Sequence, residues 1–303
     1  MQLNILNETN TLKAVVLGQP SSMELVPSYE ETYDAKSRES VAKNIYPIEK
    51  DVVDEMSAFE KVLLTYNVKV FRPEIITHYN QIFARDVAFV IEDKLIISNI
   101  IPDRAHEIQA YDSIFSEIER DKIIKLPEKV HIEGGDVILY NNYIFIGTYK
   151  KNDYSSFKTA RTNRYGVEFI KELFPDKTVL DFCLKKDDNN PYEGILHLDC
   201  TFQPIGNNKG IIYKKGFNNE NEYEQLREIF GNDNLFEVTQ EEMYYMTPNV
   251  FSIAPDIVVI EQNFKRLAQQ LNDWNIKTEK IPYYEISKMG GLLRCSTLPL
   301  IRE

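Results

Sequence analysis

The chain has 303 residues, 43% of them hydrophobic and 27% charged, with a net charge of −12. That length allows one large domain or two ordinary ones, and the acidic balance argues against nucleic acid, whose phosphates need a basic surface, while suiting a cationic small molecule. No apolar run approaches the roughly 18 residues of a membrane span, the polar start MQLNILNETN lacks the basic and apolar regions of a secretory signal, and the widely spaced Cys183, Cys200 and Cys295 fit neither a disulfide framework nor a zinc knuckle, so the expected setting is the cytoplasm.

In chain order, LKAVVLGQP (12–20) reads as a first strand, and about Pro47 to Tyr66 as a helix. DVAFVIEDKLIISN, from Asp86, reads as two strands turning at Glu92-Asp93, followed by a helix over 106–120. DVILYNNYIFIGTY, from Asp136, turns at Asn141-Asn142 and precedes a helix over 156–174. DCTFQPIGNNKGIIYKK, from Asp199, turns through Gly206 to Lys209 and precedes a helix over 221–230. NVFSIAPDIVVIEQN, from Asn249, turns at Pro255-Asp256 and precedes a helix over 263–275. Asn, Asp and Gly tolerate the left-handed backbone that tight hairpins demand, the fully apolar strands predict burial on both faces, and the helices carry apolar residues at three- and four-residue spacing.

The hairpins start at 86, 136, 199 and 249, at intervals of 50, 63 and 50 residues. With the strand near 12–20, a unit of roughly 60 residues fits five times, the signature of a propeller or solenoid. No linker rich in Pro, Gly or Ser divides the chain, so residues 1–303 are expected to form one domain. KKDDNNPYEG (185–194) reads as a solvated loop, and Met243, Tyr244, Tyr245 and Met246 as core packing.

In a repeat fold the hairpin starts converge on one centre. They bring FARD with Asp86, EGGD with Glu133, and HLDC with His197 and Asp199, while GGLLRC near the end brings Cys295. A carboxylate at the mouth of a buried hairpin is costly unless a positive group meets it. Planar carboxylates match a guanidinium group by bidentate hydrogen bonds. A thiolate is a strong nucleophile whose pKa falls beside positive charge, here a bound guanidinium or a protonated His197. The imidazole can give a proton to a departing amine and take one from the incoming nucleophile. The carboxylate spacing follows no metal loop, so neither a metal nor a cofactor is expected.

Taken singly, each residue has a plainer reading. Asp86 with Arg85 reads as a surface ion pair, Glu133 as a turn residue, His197 as a core histidine and Cys295 as a buried thiol. Asp136 reads as holding its turn or supporting a neighbouring backbone, Cys183 and Cys200 as structural, and His106 as lying on a solvated helix face.

Together and in this order, FARD, EGGD, HLD and GGLLRC resemble the guanidino-group modifying enzymes: arginine deiminase, dimethylarginine hydrolase and arginine:glycine amidinotransferase. The resemblance runs from about residue 80 to the end of the sequence. It implies a pentein fold, a five-bladed pseudo-symmetric α/β propeller of ββαβ-type units, in agreement with the repeat. It implies that Cys295 is the nucleophile of a covalent thiouronium intermediate and His197 the general acid and base. Asp86 and Asp199 would grip the guanidinium, and Glu133 would add to that grip and orient His197 or the substrate. Arg104 and Arg161 occupy the motifs of the arginines that hold a substrate carboxylate, although outside those motifs both read as solvated helix residues.

The main expectation is a deiminase-type hydrolase acting on arginine or a related guanidino compound. The alternative is an amidinotransferase with an amine acceptor, towards which HLDCTF leans, and a third reading is a non-catalytic binding propeller. The chain lacks room for the helical insertion of full-length arginine deiminases, and Asn80 precedes FARD at a position that arginine dihydrolases exploit. A homodimer is compatible with these readings.

Overall fold

All four expected hairpins form, and each gains a third strand. The computed structural model describes residues 1–23, 25–149, 153–155 and 157–303. A first strand, β1 (Leu12–Leu17), lies parallel to β2 (Lys69–Phe71). The second sheet is β3 (Ala88–Ile91), β4 (Lys94–Ile97) and β5 (Ile123–Lys125). The third is β6 (Val137–Tyr140), β7 (Tyr143–Thr148) and β8 (Thr178–Cys183). The fourth is β9 (Phe202–Ile205), β10 (Lys209–Ile212) and β11 (Leu235–Glu237). The fifth is β12 (Phe251–Ala254), β13 (Ile257–Glu261) and β14 (Lys277–Ile281). The last strand, β15 (Thr297–Arg302), returns to pair antiparallel with β1. Among the described residues, five three-stranded sheets result, each an antiparallel pair extended by a parallel strand. This is a five-bladed α/β propeller.

Burial falls from the first strand of each blade to the third. β3, β6, β9 and β12 are buried at every residue, whereas β2, β5 and β11 have no more than one buried residue. The apolar hairpin strands therefore line the centre, and the outer edges carry Lys69, Lys125 and Lys277, charges that discourage edge-to-edge pairing. Pro204 and Pro299 sit on inner strands at a sheet edge, where the missing N–H breaks no ladder. Glu92, Asn141, Gly206 and Asn208 adopt positive φ at the hairpin turns.

The outer layer departs from the sequence reading in places. Helix α1 (Ala35–Ala42), capped by the Asp34 side chain accepting from Ser37 N, was not anticipated. The expected helix from Pro47 forms as α2 (Glu49–Thr65). The helix expected over 106–120 is instead a 3₁₀ helix, Pro102–Tyr111, with one short α-helical turn after it. Residues 101, 104, 107 and 110 are all buried, a period of three rather than 3.6, which brings Arg104 and Glu107 into register on the inner face. His106 is exposed there, as expected.

The helix expected over 156–174 begins at a position outside the described residues, and the described helix is α3 (Arg164–Leu173), capped by Asn163. Ala160, Arg161 and Thr162 ahead of it are buried loop residues that turn inward. The last two expected helices form as α4 (Glu220–Phe230) and α5 (Lys265–Asp273).

Candidate active site

The same place in each of four blades, just ahead of the inner strand, supplies the site. Asp86 sits in a helical turn before β3, and Glu133 precedes the 3₁₀ turn Gly134–Asp136 before β6. His197 and Asp199 flank the start of the 3₁₀ turn Leu198–Cys200 before β9. Cys295 lies two residues before β15. All are buried. Asp136 supports its neighbour's backbone, accepting from Leu198 N at 2.9 Å and from Thr162 Oγ1 at 2.7 Å, and so fixes the turn that presents His197 and Asp199.

His197 Nε2 is 2.8 Å from Glu133 Oε2. Its other ring nitrogen, Nδ1, has no hydrogen-bond partner and lies 3.7 Å from Asp86 Oδ1, which has none either. Gly135 makes room for the ring, since a Cβ there would stand 2.6 Å from His197 Cγ. Cys295 Sγ lies 3.7 Å from Asp199 Oδ2 and accepts from Asn249 Nδ2 at 3.1 Å, while its N–H donates to Asn249 Oδ1 at 3.1 Å.

An arginine backs each carboxylate. Arg104 pairs with Asp86 Oδ2 at 2.6 Å and grips Glu107 through two nitrogens, at 2.6 and 2.9 Å. Arg161 pairs with Glu133 Oε2 at 3.1 Å, donates to Tyr33 O at 3.0 Å and also reaches Lys158 O. Arg294 pairs with Asp199 Oδ2 at 2.9 Å and with both oxygens of Glu8. Arg104 and Arg161 thus lie in the site and are not solvated helix residues, and most of their donors are engaged by the protein's own groups.

These partners set the charge states. Burial works against the Glu133 carboxylate, but Arg161 and the His197 hydrogen bond hold its pKa at about 2. Burial likewise disfavours the His197 cation, yet Asp86, Glu133 and Asp136 raise its pKa above the usual imidazole value. For Cys295, a hydrogen bond with Cys200 lowers the pKa, but burial and the Asp199 and Asp86 carboxylates leave it raised overall. Asp199 is the charged group beside the sulfur, at 3.7 Å, so the positive charge expected to activate the thiol is left to a bound guanidinium or a protonated His197. Asp86, Glu133 and His197 also present one ligand atom each within 4.8 Å of one another, and both carboxylates are already paired with an arginine guanidinium.

A cavity of about 30 Å³ reaches Cys200 between Asp34, Lys36, Leu196, Met243 and Tyr244. The segment 185–194, read from the sequence as a solvated loop, borders it through Asp187, Pro191 and Gly194. The loop is fastened there by Arg38 donating to Asp188 O at 2.9 Å and by Asp188 accepting from Thr159. Met243, Tyr244 and Met246 are buried as expected, and they also wall this cavity. Asn80 is not part of the cluster. It lines a separate cleft beside Thr32, Tyr33 and Ser37.

Sequence reasoning missed Asn249, Arg294 and Glu8. Asn249 opens the fifth sheet's hairpin at the place where Asp86 and Asp199 open theirs, so the convergence rule pointed to it. Arg294 stands next to the cysteine in GGLLRC. Glu8 has no signal, because its partner is 286 residues away.

A family model described as "N,N dimethylarginine dimethylhydrolase, eukaryotic" matches residues 19–302. An uncharacterised protein of Bacillus subtilis strain 168, YkgA, is 27% identical over 299 residues, covering 97% of this chain and 94% of the relative. Among solved structures, the inosamine-phosphate amidinotransferase StrB1 of Streptomyces griseus superposes with a TM-score of 0.79 at 14% identity, over 99% of this chain and 97% of that one. The amidinotransferase SxtG of Microseira wollei gives 0.77 at 16% identity, over 99% and 97%. The N-terminal domain of ArgZ, a cyanobacterial arginine dihydrolase, gives 0.73 at 16% identity, over 97% and 98%. At these identities the structures share the fold.

Proposed function

The chain belongs to the N,N-dimethylarginine dimethylhydrolase family of guanidino-modifying enzymes, and from that premise we propose that it hydrolyses arginine or an N-methylated arginine through a covalent intermediate on Cys295. One observation carries this reading: His197 Nδ1 and Asp86 Oδ1 face each other at 3.7 Å, both without a partner, inside an otherwise saturated network. A buried polar atom left unpaired is costly, and a guanidinium N–H satisfies the carboxylate oxygen.

In this reading Asp86 and Asp199 grip the guanidinium. Its positive charge offsets the carboxylates that hold the Cys295 pKa up, so binding favours the thiolate. The sulfur attacks the guanidinium carbon, and His197, kept protonated by its carboxylate neighbours, gives its proton to the departing amine or ammonia. Water then attacks the thiouronium carbon, His197 takes the water's proton, and the C–S bond breaks to give a ureido product and free Cys295. Glu133 orients the imidazole. Arg104 and Arg161 hold Asp86 and Glu133 in place and, by exchanging partners, meet a substrate carboxylate. HLDCTF also fits the amidinotransferase alternative, which shares the first half-reaction and differs in admitting an amine instead of water.

Mass spectrometry of products from L-arginine and N,N-dimethylarginine, with and without glycine, tests the proposal. A ureido product with ammonia or dimethylamine supports the hydrolase. A new guanidino compound that forms only with glycine replaces it with the transferase. No turnover of either substrate under any condition overturns both.

A further inference from the structure

The mechanism uses one thiol, but the site holds two. Cys200 follows Asp199 directly and ends the 3₁₀ turn that presents it. Its sulfur donates to Asp199 Oδ1 at 3.5 Å, and the same oxygen lies 3.9 Å from Cys295 Sγ. Both sulfurs thus lie against one carboxylate oxygen. Asn249 bridges their segments, its amide Nδ2 reaching Asp199 O at 3.4 Å and Cys295 Sγ at 3.1 Å. Cys183, the remaining cysteine, is on the outer strand β8 and bonds Asn218. The cavity of about 30 Å³ that Cys200 lines exceeds the roughly 10–15 Å³ that a water requires.

We propose that Cys200 is a resolving thiol, and that peroxide converts Cys200 and Cys295 to a reversible disulfide that switches the site off. The Cys295 sulfur attacks the peroxide, the O–O bond breaks, and Cys295 becomes a sulfenic acid while water leaves. The Cys200 sulfur then attacks the Cys295 sulfur. The S–O bond breaks, and hydroxide leaves as a second water with the Cys200 proton. The two sulfurs lose two electrons in total, and the peroxide gains them. The neighbouring Cys295 thiol, burial and Asp199 raise the Cys200 pKa further than that of Cys295 is raised, so the first, slow step falls to Cys295, and Cys200 stays a thiol until a neighbouring sulfenic sulfur is presented. A dithiol reverses the bond by exchange. The consequence is protection: the sulfenic acid is trapped before a second peroxide carries it to the irreversible sulfinic acid. The effect on turnover rests on Cys295 being the nucleophile, but formation of the bond does not.

The experiment exposes the full chain to hydrogen peroxide, blocks free thiols, and maps peptides without reduction, with turnover followed in parallel. The expected result is a linked peptide joining Cys200 to Cys295, two hydrogens lighter than the separate peptides, lost on treatment with dithiothreitol as turnover returns. A Cys183→Ala variant gives the same peptide. In Cys200→Ala, Cys295 gains two oxygens and dithiothreitol restores nothing. Sulfinic Cys295 with no linked peptide in the unmodified sequence overturns the proposal, and that readout does not depend on the variant folding. A linked peptide with unaltered turnover upholds the bond and instead overturns the nucleophile assignment.

Discussion

Glu133 holds His197 by Nε2 at 2.8 Å and is itself held by Arg161 at 3.1 Å. The imidazole is thus aimed by a chain of charges that begins in the loop ahead of α3. Glu133→Gln keeps the shape and removes the charge. Turnover is expected to fall about 10²–10⁴-fold, the usual worth of a positioned acid–base group. His197 loses a partner that raises its pKa, so the alkaline limb of the rate profile moves to lower pH. A pH–rate profile with an unmoved limb removes Glu133 from this role.

Asp199 meets Arg294 at 2.9 Å and lies beside both buried thiols. Asp199→Asn is expected to weaken guanidine binding by roughly 2–5 kcal/mol, the cost of truncating one partner of a buried charged pair. Calorimetry on a Cys295→Ser background, which removes turnover, separates binding from chemistry. An unchanged dissociation constant moves Asp199 out of the guanidinium grip.

Gly135 is a spatial requirement. A Cβ there would lie 2.6 Å from His197 Nδ1, closer than atoms approach without displacement. Gly135→Ala is expected to push the imidazole off Glu133, with activity falling far more than thermal stability. Wild-type kcat in this variant contradicts the placement of the ring.

Thiol labelling distinguishes the three cysteines. Cys183 is partly exposed, while Cys200 and Cys295 are buried. A haloacetamide is expected to label Cys183 first at neutral pH, and Cys295 slowly, with a midpoint above the ordinary thiol value of 9.0 because burial and Asp199 outweigh the Cys200 hydrogen bond. Rapid neutral-pH labelling of Cys295 in the free protein refutes the carboxylate-dominated field.

Acid is expected to unfold the protein through the site. Folded Glu133 and Glu8 both stand at about 2, against an ordinary value of 4.5. Their contribution is fully present above about pH 4.5 and is lost as pH falls through 2. At about 1.4 kcal/mol per pKa unit, each is worth on the order of 3 kcal/mol. His197 acts oppositely: its raised pKa stabilises below the unfolded value near 6.5 and that contribution is lost as pH rises through the folded value. Thermal melts across the acid range check this, and a Tm that is flat from pH 5 to about pH 2 contradicts it.

Much of this was legible in the sequence because blades repeat. The spacing of Asp86, Asp136, Asp199 and Asn249 gave the unit, and inner strands such as AFVI and VILY announced burial on both faces. The third strands were harder to read. KVF, IIK and LFE are three residues each and half-exposed, so their pattern resembles loop. The 3₁₀ helix at 102–111 reads as α-helical in the sequence because two of its inward residues, Arg104 and Glu107, are charged and an apolar periodicity does not count them. The arginine behind Asp199 was equally hidden, since burial of the Arg294 guanidinium depends on Asp199 and Glu8, which come from distant parts of the chain. Arg294 and Glu8 meet only once the ring closes.

That closure has a consequence for the order of assembly. Cys295 is delivered by the segment that leads into β15, the strand that completes the blade begun by β1. As the chain leaves the ribosome, the acids and the imidazole of the earlier blades emerge well before the sulfur, and domains form from the N-terminal side onward. A chain halted after the fifth hairpin therefore has the acids and the imidazole but neither Cys295 nor Arg294, the partner of Asp199. The thiol reaches the centre only with the same segment that seals the structure.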